Sequence, residues 1–74
     1  MAFDFRDLSG RIVSRFGTRR AFAAAAGFSE SALSARLNNL VPFKPEEIKR
    51  ICAPELLDIP DQEVTRYFFT LEVR

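Results

Sequence analysis

The sequence predicts an all-α fold of five short helices that ends in a tail with strand-like patterning, and three observations carry this reading. Apolar residues recur at helical spacing, as in Leu8, Ile12, Val13 and Phe16 and again in Leu33, Leu37 and Leu40. Between these stretches stand Gly17, Gly27, Pro42, Pro45, Pro54 and Pro60, residue types that stop or start helices. Only the end changes period: Phe69, Leu71 and Val73 alternate with Thr70 and Glu72, which argues strand over residues 68–74. A chain of 74 residues makes one domain, 1–74, and eight phenylalanines with 47% hydrophobic residues suffice for a core.

Taken in order, Met1 to Phe5 places Phe3 and Phe5 around Asp4 and reads as a short strand or as an extended arm that tucks two rings against the core. Asp4 is also placed to cap the helix that follows. From Arg6 to Phe16 the apolar residues share one face, and Gly17 ends the helix. Gly10 in its interior costs about 1 kcal/mol relative to Ala, which suggests a neighbour crossing closely there. Thr18 can cap the second helix, Arg19 to Ala26, whose run of four alanines lets another helix approach. Gly27 supplies the left-handed stop, Phe28 drops into the core, and Ser29 caps a third helix with Leu33, Leu37 and Leu40 as its buried stripe. Leu40 to Lys44 is a loop anchored by Val41 and Phe43, because the residue before each proline is pushed out of the helical region. Pro45 opens a fourth helix, with Glu46 and Glu47 at its positive end and Ile48, Ile51 and Cys52 facing inward. Pro54 ends or kinks it. Leu56, Leu57 and Ile59 are too densely apolar to be exposed. A fifth helix begins near Pro60 or Asp61, with Val64, Tyr67 and Phe68 inward. The tail then pairs with Ala2 to Phe5 of its own chain, pairs with the same tail of a second subunit, or packs as an extended end.

Residues 18–38 form the unit on which a functional reading rests: a Thr-capped helix, a glycine stop and a Ser-capped helix. Each signal alone is common to any small bundle. Together, the small residue Ala23, Gly27, and apolar Phe28 and Leu33 in this spacing resemble the Cro/repressor-type (Xre) helix-turn-helix. The continuation through Leu37-Asn38-Asn39, Pro42-Phe43, Glu47-Ile48 and Tyr67-Phe68-Phe69-Thr70 resembles small phage-encoded regulators of that superfamily. Arg36 departs from the pattern, since it falls where many members carry an apolar residue; Leu37 takes that role instead. The resemblance implies a lambda-repressor-like five-helix bundle and a sequence-specific regulator, a phage or prophage Cro-like repressor that binds a near-palindromic operator on double-stranded DNA as a homodimer in the cytoplasm.

By that resemblance the second helix of the motif lies in the major groove, and Ser29, Glu30, Ser31, Ser34, Ala35 and Asn38 are the base-contacting candidates. Glu30 can accept from a cytosine amino group, or it is a plain first-turn dipole residue. Ala35 can meet a thymine methyl. Asn38 can read adenine, hold a phosphate or cap its helix. Arg19 and Arg20 are the leading phosphate contacts, because a cation in a helix's first turn is slightly unfavourable without an anionic partner. Arg36 and Lys44 follow as weaker ones, while Arg6, Arg11 and Arg15 read equally well as a solvated face.

Net charge is only +1, yet it is unevenly spread: residues 1–44 carry seven basic and three acidic side chains, residues 45–74 four and seven. The positive half holds the candidate DNA-reading unit. Without histidine, Ser–His and Cys–His nucleophilic catalysis is excluded, and with a single cysteine a zinc site or internal disulfide is not expected. No cofactor or small-molecule substrate is implied. Neither an apolar run of membrane-spanning length nor a basic-then-apolar leader is present, so no membrane association is expected. The rival reading is a protein-interaction module on the same fold, such as an antirepressor or a sigma-factor antagonist. An enzyme, or a non-specific architectural DNA binder, fits this length and charge less well.

Overall fold

Phe5 closes the extended arm and α1 follows at once, Arg6–Phe16, its start fixed by the Asp4 carboxylate, which accepts the Arg6 N–H at 2.9 Å. The computed structural model describes residues 2–72. Within them α2 is Arg19–Ala26, α3 is Glu30–Leu37, α4 is Pro45–Ile51, and a 3-10 turn at Asp61–Glu63 runs into α5, Val64–Phe68. The protein is thus a small all-α bundle of five helices, as the apolar spacing and the glycine and proline punctuation predict.

The stops are chemical. Gly17 and Gly27 both take φ of +81°, a region closed to most side chains. Leu8 and Ile12 of α1, Phe22, Ala23 and Ala26 of α2, Leu33 and Leu37 of α3, Ile51 of α4, and Tyr67 and Phe68 of α5 form one core with Phe5, Leu56, Leu57 and Ile59. The alanine run divides by helical phase: Ala23 and Ala26 are buried and Ala24 and Ala25 face solvent. Four edge-on or tilted ring pairs, Phe69 to Phe3 to Phe5 to Phe43 to Phe68, with centroids 5.2–6.1 Å apart, tie the arm, the α3–α4 loop and α5 together.

Four expectations are corrected, the first being Val13, which leaves the apolar face of α1 and is 49% exposed. Leu40 does not continue the buried stripe of α3; it is 77% exposed, because the helix stops at Leu37 and Asn39 enters the left-handed region at φ +63°, which breaks the helical phase. Gly10 is crossed by nothing: beyond its chain neighbours and its own helix backbone, no heavy atom lies within 4 Å of where its Cβ would stand. Of the two loop anchors, Phe43 packs on the core and Val41 stays 38% exposed.

The tail meets the arm in cis. Phe3 and Leu71 form a single antiparallel bridge, with Asp4 N–H donating to the Thr70 carbonyl at 2.7 Å and Glu72 N–H to the Ala2 carbonyl at 3.0 Å. No strand develops among the described residues, and the expectation for Val73 lies outside them. Asn39 completes the join: its amide donates to the Phe3 carbonyl at 3.0 Å and accepts the Phe3 N–H at 2.9 Å, pairing with the arm as a strand neighbour would.

Candidate nucleic-acid interface

The two helices α2 and α3 are set by their caps. Thr18 Oγ1 accepts from Ala21 N–H and Ser29 Oγ from Ala32 N–H, each at 3.1 Å, so each first turn has a side-chain acceptor for an N–H that the helix cannot satisfy. Between them the Ala23 carbonyl accepts from both Gly27 and Phe28, which closes α2 and delivers the chain to Ser29 within three residues.

Leu33 and Leu37 are the buried back of α3. The opposite side brings together the groove candidates. Ser29, Glu30, Ser31 and Asn38 are exposed, and Ser34 and Ala35 are half-buried. None is enclosed by the core, although their polar groups are partly engaged with one another. Ser29 and Ser31 hydroxyls stand 3.3 Å apart, and the Asn38 amide donates to Ser34 Oγ at 3.2 Å. Arg19 and Arg20 are exposed in the first turn of α2, and Arg20 Nε lies 3.9 Å from Glu30 Oε2. That pair is open to water on both sides, so its energy is small. It marks that the first turns of α2 and α3 lie side by side.

Lys44 is exposed as the N-cap of α4, and its backbone N–H donates to Glu47 Oε1 at 2.9 Å. Arg36 is a correction. Its guanidinium does not point to solvent for a phosphate; Nε and Nη2 each donate to the Glu47 carboxylate at 2.8 Å and Nη1 to the Ala32 carbonyl at 3.0 Å, with the side chains only 12% and 10% exposed. The bidentate contact holds the Glu47 carboxyl below its ordinary value, against the opposing effect of burial. Arg36 and Arg50 also stand over the Phe28 ring at 5.3 and 5.2 Å, which leaves Phe28 half-buried between two cations. This lock between α3 and α4 was not visible in the sequence. Its partners lie across a loop, with no periodic relation to betray them; the only hint was an arginine where the motif pattern calls for an apolar residue.

The class these features define is a small all-α bundle with two short capped helices joined through a left-handed glycine. The chain belongs to the family described as "Protein of unknown function (DUF739)", which matches residues 1–71. No curated protein matches it. Among the described residues no helix is long and apolar enough to cross a membrane.

Proposed function

We propose that α2 and α3 are a DNA-binding helix-turn-helix of the Cro/repressor type and that the protein is a sequence-specific transcriptional regulator. In this reading it acts in the cytoplasm as a Cro-like phage or prophage repressor, bound as a homodimer to a near-palindromic operator. The observation that carries this is the placement of Arg20 beside Glu30, at the start of a Ser29–Asn38 face whose back is pinned twice, by Leu33 and Leu37 in the core and by Arg36 on Glu47, with Arg19 exposed in the same first turn of α2. A reading helix must hold its orientation while side chains at its N-terminal end reach base edges. Glu30 would accept from a cytosine amino group, with Arg20 at its side meeting the adjacent phosphate. Arg19 and Lys44 would supply further backbone contacts. Arg36 leaves that set, because its guanidinium is mostly buried and paired with Glu47.

Binding to a random-sequence duplex over a salt series tests the proposal. Each phosphate contact removed lowers the log–log salt slope by about one, so Arg19→Ala/Arg20→Ala should flatten it by about two per protomer. Salt-independent binding, or an unchanged slope in the double variant, would count against it. The rival, a protein-interaction module on the same fold, draws on the near-neutral net charge of +1 and the acidic second half. A protein partner captured with helix α3 dispensable and no duplex bound would favour it.

A further inference from the structure

An open cleft of about 460 Å3 runs along one side of α1, walled by Arg6, Arg11 and Arg15 and, from α5, by Arg66 and Tyr67. Three features of it bear on what it could hold. Arg11 is half-buried, yet its hydrogen bonds all go to neutral acceptors: Nε to the Leu57 carbonyl at 2.7 Å, Nη2 to the Asp58 carbonyl at 2.7 Å and Nη1 to the Tyr67 hydroxyl at 3.2 Å. None of the ion pairs among the described residues uses it, although its guanidinium also stands over the Tyr67 ring at 5.5 Å, so a half-buried cation is rigidly held without direct contact to a carboxylate. Arg15 stands one helical turn further on, exposed and equally without an ion pair, and like charges four residues apart on a helix repel. Gly10 lines the cleft in mid-helix with open space where a Cβ would be, so the helix carries a weakening residue that no neighbour in this chain requires.

We propose that this cleft docks an acidic peptide segment of a partner protein, with a carboxylate held between Arg11 and Arg15 and the peptide backbone passing over Gly10. An anion there relieves the repulsion between the two guanidiniums and neutralises the half-buried one, and the missing Cβ lets the segment lie close to the helix. Asp7 favours a peptide over a nucleic acid. It lines the same cleft and is tied to Arg66 Nε at 3.2 Å. Its carboxylate can accept from peptide N–H groups, whereas a phosphodiester backbone has no donor to offer it. The site shares no residue with the candidate DNA-reading set, so it does not depend on that reading.

The test is a titration of the isotope-labelled full chain with an acetylated, amidated (Glu-Ala)4 peptide, followed by amide chemical shifts at low salt. Saturating shifts confined to α1 and α5 are expected, with a dissociation constant of about 0.1–1 mM for so few contacts. Arg15→Glu should weaken binding about tenfold by reversing one charge of the clamp. Gly10→Ala should weaken it about threefold while raising the unfolding temperature, a combination that a purely structural glycine would not produce. Absence of shifts, an equal response to a (Gln-Ala)4 peptide, or full affinity in both variants overturns the proposal. So does a random-sequence duplex that moves the same amides when the peptide does not.

Discussion

At the scale of single residues, the buried pair Arg36–Glu47 decides most. Glu47 Oε1 accepts from both Arg36 and the Lys44 backbone, and each guanidinium nitrogen has a partner. Removing one member strands the other: Arg36→Ala should cost about 3 kcal/mol, read as a lower urea midpoint, because an unpaired carboxylate is left with little water. Arg36→Met/Glu47→Gln, which keeps an acceptor for Lys44 and removes both charges, should recover most of that loss. The same pair sets an acid limit. Arg36 lowers the Glu47 carboxyl in the folded state, so its contribution is complete above the ordinary glutamate value of 4.5 and is lost as pH falls through the lower folded value. Between pH 6 and 3 the urea midpoint of the native chain should fall more steeply than that of Glu47→Gln. Glycines separate just as cleanly. Gly27→Ala forces a side chain to φ +81° and should cost about 1–2 kcal/mol, whereas Gly10→Ala, with open space around it, should gain about 0.5–1 kcal/mol in thermal melts.

At the scale of elements, α2 and α3 have eight residues each, too short to persist without caps and packing. Thr18→Ala and Ser29→Ala should each lower stability by about 1 kcal/mol, measured by denaturant unfolding. This was the most legible part of the chain. Thr18, Gly27 and Ser29 act through bonds that span two to four residues, and such local chemistry is written in the local sequence. Helix ends were harder where tertiary contacts choose them. Leu40 keeps the i, i+7 spacing to Leu33 yet lies outside the helix, because Asn39 leaves the α region to place its amide on Phe3, 36 residues away. The tail's period of two likewise predicted a strand where a single bridge formed. Of the site, the exposed candidates on α3 and the arginines of α2 follow from helical phase, whereas the fate of Arg36 depended on a carboxylate that only the packed α4 brings near.

At the scale of the whole molecule, a chain of this size buries a limited fraction of its surface. Phe69 and Leu71 remain 47% and 46% exposed beside the half-buried Phe3, an apolar margin next to the cis-paired tail. If the operator reading holds, two copies must act together, since one such unit spans a single half-site. Light scattering across a concentration series should then show a dimer, and Phe69→Ser/Leu71→Ser should shift the equilibrium toward monomer if this margin is the contact. A monomer at all concentrations with specific duplex binding intact would separate the two ideas.

The contact between Ala2 and Glu72 has a topological consequence. Because the first and last described parts of the backbone already touch, a short peptide linker could stitch the molecule into a ring without displacing a helix, and new termini could then be opened at an exposed bend such as Pro54–Glu55. Such a ring would forfeit much of the disorder available to the unfolded chain and would hold its native shape to higher temperature.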